Sequence, residues 1–539
     1  MINAPLSSQA LLLALAMPWL ALAAVAIPGF RQFARTLLPC AALPALLAGL
    51  LVPDGTNVPL PEWMNSAGFA MDNLARGFLL PAALLWLFAG WFGRGQTDSR
   101  LFVGCWLTAL GGNLALILAA DLLAFYSGFA LMTFAAYGLI IHDRDDKAMR
   151  AGRLYFVMML AGELALLTAV SLTTIQAEGL AFGSEAYQGL PDWGLLLFAL
   201  SFGLKLGAFG LHSWLPVAHP AAPVPASAVL SGIMIKAGLI GWWRVSETRI
   251  ETLGEWAMPL IILGLAGIFY GAIQGLRAQN PKQILAWSSV SQLGLMVLLA
   301  GCVLAEPKNL SAATAVLVLF VLHHGLAKGA LFIGTGVMGE SRGKHRKTVL
   351  LLLCIPALSL AGAPLSGGQL LKVNMDGIVE DTAFFNWLPF VLSLSSLATG
   401  MLMARFIILA RHWYTSLVIS TSNAPVQPWW ILLALSLLAP WQNQVTATPS
   451  EYVLSLSALG SALWPLIPGV GAALLGIYRD KLRPESQQKA PRRPSSLPPQ
   501  VAFLGKILGQ AEQRLHRWPV VGRALLLLLL ALAAVMLMT

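Results

Sequence analysis

The residues of this chain that could do chemistry are a few ionisable side chains within long apolar stretches. Lysine, histidine and glutamate can each bind and release a proton, and removal from water changes how tightly they hold it. A lysine at the centre of a bilayer costs at least about 2.5–3.5 kcal/mol on insertion scales, so its presence indicates a function. The predicted proton-transfer groups are Glu163, Lys205, Lys236, His324, Lys328 and Lys372, with His212, His323 and Asp121 as secondary candidates.

Spacing relates some of these groups to each other. His324 and Lys328 are four residues apart and share one helix face, whereas His323 points elsewhere. Glu163 lies deep within RLYFVMMLAGELALLTAV, one apolar run before Lys205. A structural interpretation stays open for each group, because a long side chain can reach the membrane surface or pair with a neighbour purely for packing.

The sequence contains no signal for a cofactor or a metal. The spacing of His212, His219 and the His323–His324 pair does not show that they come together as ligands, and the four cysteines stand singly. Motifs for phosphate, dinucleotide or iron–sulfur binding and a nucleophile elbow do not occur. We therefore predict no catalytic site in this chain, and any coupled redox chemistry must belong to a partner.

The composition is that of a multi-pass membrane protein. The 539 residues are 57% hydrophobic and 11% charged, whereas an average soluble domain carries about 25% charged residues. The net charge of +10 comes from basic residues spread over short loops, which indicates membrane orientation rather than nucleic-acid binding. We expect the lipid bilayer of the cell inner (plasma) membrane as its surroundings.

The predicted fold is all-α with about 16 transmembrane helices. Apolar runs begin near residues 8, 34, 75, 101, 121, 154, 194, 226, 257, 282, 310, 349, 386, 427, 453 and 519. Loops after odd-numbered runs are basic and most loops after even-numbered runs are acidic. This alternation predicts cytoplasmic odd loops and both termini on the outer face. The first run lacks a basic leader and is expected to be retained.

Two blocks of five runs, residues 101–244 and 257–411, form an internal repeat. An odd number of spans inverts the second block relative to the first. The fourth run of each block carries a lysine beside a Pro/Gly break, Lys205 before HSWLP and Lys372 after AGAPLSGG. Breaks at matching positions of two halves predict a hydrated site within the membrane.

The two ends of the chain form separate predicted regions. Residues 1–100 hold three helices, and residues 427–539 hold the C-terminal helices. Within the latter, residues 479–500 read as a polar linker, and residues 501–518 as an amphipathic helix before a final span.

Four motifs in order resemble one known family: the antiporter-like, proton-conducting subunits of respiratory complex I, membrane-bound hydrogenases and multisubunit cation/proton antiporters. The motifs are LHSWLPVAHPAAPVPASAVLSGIMIKAGL (211–239), NPKQILAWSSVSQLGLM (280–296), HHGLAKGALFIGTG (323–336) and SLAGAPLSGGQLLK (359–372). The resemblance covers roughly residues 75–410. It implies two inverted five-helix repeats, each with a broken helix.

The resemblance also implies roles for individual residues. Lys205 would be the pumping lysine of the first half-channel and Lys236 the connecting lysine on the next span. His324 and Lys328 would form the central relay. Lys372 would lie at the second half-channel and its exit.

The chain departs from the family at one position. The fifth span of the family usually carries a Trp-Glu pair whose glutamate partners the pumping lysine, but here Phe129 and Ala130 stand at those places. Either Glu163 on the next run replaces that carboxylate, or the first half-channel has altered coupling. The departure suggests a specialised branch of the family.

The expected partners are other protein subunits, and three kinds remain open. They are a quinone- or hydrogenase-type redox arm, the soluble zinc-dependent partner of two-component inorganic-carbon uptake systems, and the further subunits of a cation/proton antiporter. The transported ion is predicted to be the proton, with Na⁺ as an alternative. A stand-alone transporter of an organic solute would predict a polar, substrate-sized site, and a structural scaffold would not need buried charges.

Overall fold

A computed structural model shows a largely helical chain. It describes residues 4–59, 68–96, 99–176, 180–183, 190–382, 386–416, 425–442 and 453–481. The predicted amphipathic helix and the final span lie outside the described residues, as does the predicted linker beyond Lys481. The first three residues of that linker continue a helix instead of ending it.

Four helices precede the first block. They are α1 (Ala4–Ala26), α2 (Ala34–Cys40), α3 (Leu43–Leu51) and α4 (Asn73–Phe92). Strands β1 (Thr56–Pro59) and β2 (Gly68–Met71) pair antiparallel between α3 and α4. This two-stranded sheet departs from a purely helical prediction. It lies between two apolar runs, where the chain must pair its backbone groups with something other than a helix.

The first block contains seven helices. They are α5 (Arg100–Leu118), α6 (Leu122–Ile140), α7 (Asp146–Gln176), α8 (Asp192–Leu206), α9 (Leu215–Ala221), α10 (Val224–Gly232) and α11 (Ala237–Ser246). The break between α8 and α9 lies where the sequence predicted it. Gly207 ends α8 with φ 71°, a left-handed conformation that residues with a side chain rarely adopt.

The second block contains six helices, and two more follow it in the described chain. They are α12 (Ala257–Arg277), α13 (Pro281–Ala305), α14 (Leu310–Glu340), α15 (Gly343–Leu360), α16 (Gly367–Glu380), α17 (Leu388–Ser416), α18 (Gln427–Leu438) and α19 (Leu456–Lys481). The predicted second break separates α15 from α16. Ser366 begins α16 by accepting a hydrogen bond from the amide of Gln369.

The all-α membrane fold is confirmed, but the number of spans is not. Among the described residues, ten helical spans are long and apolar enough to cross a bilayer when the interrupted α10–α11 stretch is counted as one. Fifteen of the sixteen predicted runs coincide with helices. The broken ones divide into segments too short to span alone, and the sixteenth lies outside the described residues. The total of sixteen therefore stays a prediction.

The first two helices of each block pack in the same way. Gly112 on α5 meets Gly128 on α6, and Gly264 on α12 meets Gly294 on α13. A Cβ on any of these glycines would lie 2.7–2.8 Å from the carbonyl oxygen of its partner. Small residues therefore allow the backbones to approach closely, as is common between helices in lipid. The repeated contact fits the predicted repeat, whose inversion stays a prediction.

Candidate functional site

Lys205 lies in the last turn of α8, directly before the break. Its side chain is buried, with 1% of its surface exposed. Gly207 turns the chain away from the helix, and Trp214 donates its indole N–H to the Leu204 carbonyl oxygen at 2.9 Å. The break therefore places the amine inside the protein, near the negative end of a short helix.

The partner of Lys205 is a hydroxyl group on α6. Lys205 Nζ donates to Thr133 Oγ1 at 2.8 Å, and Thr133 Oγ1 donates to the Phe129 carbonyl oxygen at 2.7 Å. Tyr155 on α7 donates its hydroxyl to the Thr133 carbonyl oxygen at 3.0 Å. The Phe129 ring centre lies 5.2 Å from Lys205 Nζ, within cation–π range. Sequence reasoning missed Thr133, although it lies one turn beyond the departure at Ala130.

Glu163 on α7 is the carboxylate of this region. It is 3% exposed, and neither of its oxygens has a hydrogen-bond partner. Its charge interacts with that of Lys205, with Thr133 close by, but the ion pairs within 4.0 Å in the described chain do not include this pair. A buried carboxylate without hydrogen bonds is costly in its charged form, so the site requires a proton or water there.

Lys236 lies at an interruption of its own span. Helix α10 ends at Gly232, and a 3₁₀ turn (Met234–Lys236) precedes α11. Lys236 Nζ donates to the Gly232 carbonyl oxygen, which the interruption leaves without a helical partner. A Cβ on Gly325 of α14 would lie 2.9 Å from the Gly232 carbonyl oxygen, so this glycine allows α14 to approach the oxygen that holds the amine.

His324 and Lys328 lie buried on α14, as their spacing predicted. The His324 ring stacks on Phe320 with 4.8 Å between ring centres, and neither of its nitrogens has a hydrogen-bond partner. Lys328 Nζ donates to the Leu285 carbonyl oxygen at 2.7 Å and to Ser288 Oγ. The two side chains therefore face one region without bonding to each other. Both oxygens that hold Lys328 belong to the motif of residues 280–296 on α13.

His323 faces the second broken helix. Its Nε2 lies 2.9 Å from Ser359 Oγ, near the end of α15. The ring also lines a cavity of about 40 Å³ between α13, α14, α16 and α17, and Lys372 lines the same cavity. Gln292 and Thr399 add polar groups, and their side chains bond to each other at 3.1 Å. The cavity can hold water because it is polar and larger than one water needs.

Lys372 is half-buried on α16, where its Nζ lies 3.4 Å from the Ser461 carbonyl oxygen of α19. Asp376 follows one turn later, and one of its carboxylate oxygens is buried without a hydrogen-bond partner. The two side chains share a helix face and interact electrostatically. Sequence reasoning did not include Asp376, although its spacing of four residues from Lys372 was a signal.

The contacts of the secondary candidates Asp121 and His212 are those of a helix cap and of aromatic packing. Asp121 caps α6 by accepting from the amides of Leu123 and Ala124, and it also accepts from the amide of Gly68 on β2. Burial raises the pKa of the Asp121 carboxyl, while the three amide donors oppose that rise. His212 packs among aromatic rings in the loop after α8.

His219 on α9 is a further buried titratable group that the sequence did not single out for proton transfer. The ring stacks on Phe332 with 4.8 Å between ring centres, and neither nitrogen has a hydrogen-bond partner. The charges of Lys328 and Lys282 both act on it. Lys282 donates to the Ala222 carbonyl oxygen at 2.8 Å, at the start of α13. The series of buried titratable groups therefore extends from Lys328 through His219 to Lys282, at the start of α13.

Comparison with known proteins bears out the resemblance of the four motifs. The family described as "NADH:quinone oxidoreductase/Mrp antiporter, TM" matches residues 119–375. Hydrogenase-4 component B of Escherichia coli is 29% identical over 50% of this chain and 43% of its own length. NAD(P)H-quinone oxidoreductase chain 4-2 of Synechocystis sp. is 29% identical over 60% of this chain and 59% of its own length. The chain thus spans about half the length of these relatives.

Two solved structures share the fold. A chain of the Mrp complex from Dietzia sp. superposes with a TM-score of 0.66 at 19% identity, covering 87% of this chain and 95% of that one. A chain of the membrane-bound sulfane sulfur reductase, an archaeal respiratory membrane complex, gives 0.65 at 18% identity, covering 88% and 99%. Most of this chain, including parts beyond the region of sequence similarity, therefore shares the fold of these two subunits.

Proposed function

We propose that this chain, a homologue of membrane subunits of the NADH:quinone oxidoreductase and Mrp antiporter type, moves protons across the membrane for a larger complex. The observation that carries the proposal is the complete burial of the amines of Lys205, Lys236 and Lys328. Each amine is held by hydroxyl or carbonyl oxygens rather than by a carboxylate at ion-pair distance. Each can therefore release a proton without leaving an unpaired anion behind.

The first step of the path involves Glu163, Thr133 and Lys205. With a methyl group at Ala130, Glu163 is the carboxylate whose charge acts on Lys205. When Glu163 is charged it favours the protonated amine, and when it is neutral that attraction disappears. We propose that Glu163 replaces the usual glutamate and that Thr133 holds the amine in place in both states.

The central step joins Lys236 to the groups on α14. The close approach of Gly232 and Gly325 brings the Lys236 amine to the helix that carries His324 and Lys328. His324 has two unpaired nitrogens, so it can accept a proton at one and release it at the other. His219 provides a side branch from Lys328 toward Lys282.

The last step crosses the second break. His323 is bonded to Ser359, and water in the adjoining cavity can carry a proton from its ring to Lys372. Asp376, one turn further along α16, offers a carboxylate oxygen without a bonded neighbour. The proposed outlet therefore runs from His323 through Lys372 to Asp376.

The chemistry of these groups favours the proton over Na⁺. A sodium ion in a membrane protein needs several oxygen atoms arranged around it. The buried groups here are mainly amines and imidazoles, and their protonated forms repel a cation. We therefore propose proton transfer as the ionic event.

The proposed partners are other protein subunits, with a redox arm favoured. The sequence relatives are a hydrogenase component and chains of quinone oxidoreductases, and this chain carries no motif for redox chemistry of its own. We place the basic loops in the cytoplasm and the protein in the cell inner membrane. Copurification of the intact complex distinguishes a redox arm from antiporter subunits or a soluble zinc protein.

The proposal is tested by replacing Lys205 with alanine in the intact complex. Proteoliposomes report the initial rate of proton uptake after a pH step. We expect a loss of at least about tenfold, because a missing proton carrier removes a step of the path. Lys308→Ala is the control, since its side chain is 65% exposed and lies in the 3₁₀ turn before α14. Unchanged uptake in the Lys205 variant would refute the role.

A further inference from the structure

A groove runs between α15 and α17 on the outside of the bundle. At one end it opens into a cavity of about 490 Å³, lined by Met338, Gly343, Arg346, Lys347, Leu350 and Arg411. Three of these six residues are basic and none is acidic. The described residues around this cavity are therefore mainly basic or apolar.

A second cavity, with an apolar lining, lies further along the same two helices, and we treat the two cavities together as one groove. This apolar channel of about 230 Å³ is lined on α15 by Cys354 and Leu358, on α17 by Ala404 and Ile407, and on α19 by Leu474, among others. Among the residues that the structure describes, no charged side chain lines it. The pocket thus matches the acyl part of a lipid rather than a polar ligand.

The two cavities are in register along both helices. Leu350 of the first cavity and Cys354 of the second are one turn apart on α15, and Arg411 and Ile407 are one turn apart on α17. The part of α17 that is long and apolar enough to cross a membrane ends at Trp413, so Arg411 lies near the membrane surface. The cationic end is therefore at headgroup depth, and the apolar end points into the bilayer.

The start of α15 adds to the positive field. Arg346 donates its Nε–H to the Ser341 carbonyl oxygen at 2.8 Å, which holds the guanidinium beside the cavity. The first amides of α15 also lie here, without a capping side chain. The N-terminus of a helix attracts phosphate groups through these amides.

We propose that this groove binds one anionic phospholipid of the phosphatidylglycerol or cardiolipin class. Its phosphate would lie against Arg346, Lys347 and Arg411, and one acyl chain would follow α15 and α17 past Cys354. The excess of cations selects a lipid with net negative charge, because the ammonium of a choline headgroup would be repelled. The lipid would hold α19 against the second broken helix, since α19 forms the third wall of the apolar channel.

The test is native mass spectrometry of the full-length protein in neutral detergent, titrated with phosphatidylglycerol or phosphatidylcholine. We expect one phosphatidylglycerol per chain to bind in preference. Changing the three basic residues together (R346Q, K347Q, R411Q) should weaken binding by at least about tenfold, given the contribution of each charge near a lipid phosphate. The matched triple variant K147Q, R150Q, R153Q removes the same charge from the first turns of α7, and it should bind like wild type.

A second variant tests the apolar half without changing charge. Ala404→Phe fills the channel and should also weaken binding, with the cationic end intact. Inorganic phosphate at millimolar concentration should not compete, because it cannot occupy the channel. Equal binding of the two lipids, equal loss in the matched triple variant, competition by phosphate, or a helix of another subunit in the groove of the intact complex would each overturn the proposal.

Discussion

Lys205 Nζ and Thr133 Oγ1 lie 2.8 Å apart, although 72 residues separate them in the chain. The hydroxyl group stands between the amine on α8 and the region of Glu163 on α7, where a carboxylate has no hydrogen-bonded neighbour. This arrangement differs from the family pattern in which a glutamate on the helix of Ala130 serves the lysine. The hydroxyl partner of the amine lies on α6, and Glu163 on α7 is a carboxylate whose charge acts on that amine.

The first prediction tests whether Glu163 takes the place of the carboxylate that the family usually carries at the position of Ala130. Glu163→Gln keeps the shape of the side chain but removes its charge, so the affinity of Lys205 for a proton no longer switches. We expect proton uptake by proteoliposomes of the complex to fall by at least about tenfold. Adding Ala130→Glu to this variant should restore part of the rate, because it returns a carboxylate to α6. Glu247→Gln, on an exposed residue, is the control. Full activity of Glu163→Gln would show that this carboxylate has no part in coupling.

A second prediction separates the hydroxyl of Thr133 from its packing. Thr133→Val removes the acceptor for Lys205 at nearly constant volume and should slow proton uptake several-fold, while Thr133→Ser should retain most of the rate. The lost hydrogen bond to a charged group should also lower stability by about 1.5–3 kcal/mol, measured as a lower melting temperature. Thr168→Val is a matched control, since Thr168 bonds only to the Leu164 carbonyl oxygen of its own helix. Equal effects at both positions would mean that Thr133 is merely structural.

The third prediction addresses the two adjacent histidines. His324→Phe can keep the stacking on Phe320 but cannot carry a proton, so uptake should drop by at least about tenfold. His323→Phe should reduce it as well, because Ser359 and the cavity then lose their titratable neighbour. The exposed His345→Gln should behave as wild type. If only the His324 variant is impaired, the outlet through His323 is wrong while the central relay stands.

The fourth prediction distinguishes Asp376 from an ordinary acidic residue. Asp376→Asn removes a charge next to Lys372 and should slow proton uptake several-fold, because the amine loses the carboxylate that receives its proton. Glu251→Gln, on an exposed residue before α12, changes the net charge equally and should leave the rate unchanged. Measuring both rates across pH 6–9 checks the assignment, and parallel behaviour of the two variants would contradict it.

The fifth prediction tests the second break. A Cβ on Gly368 would collide with the Ser359 carbonyl oxygen, whereas a Cβ on Gly377 of the same helix would meet nothing within 4 Å. Gly368→Ala should therefore lower stability by about 1–3 kcal/mol through overpacking. Gly377→Ala should leave it unchanged or raise it by up to about 1 kcal/mol. The melting temperatures of the two purified variants measure this difference. Equal values would mean that the backbone at the break moves to accommodate the added Cβ.

The sequence by itself determined the membrane class, the positions of the apolar runs and the two broken helices. These features depend on local composition, since about 20 apolar residues must cross a bilayer and a Pro/Gly-rich stretch cannot continue a helix. It also identified Lys205, Lys236, Lys328, His323 and His324, although not His219, because an ionisable residue within an apolar run is visible without any contact information. That His324 and Lys328 share one face of their helix followed from helix geometry alone.

Only the tertiary structure decided which groups meet. Thr133 and Ser359 are ordinary hydroxyl residues in the sequence, and each gains its importance from a contact with a distant helix. His323 seemed to point away from the path because its own helix was the only reference, whereas α13, α16 and α17 form a cavity around it. Contacts between helices depend on how their faces pack, and a periodic apolar pattern in lipid does not distinguish one face from another.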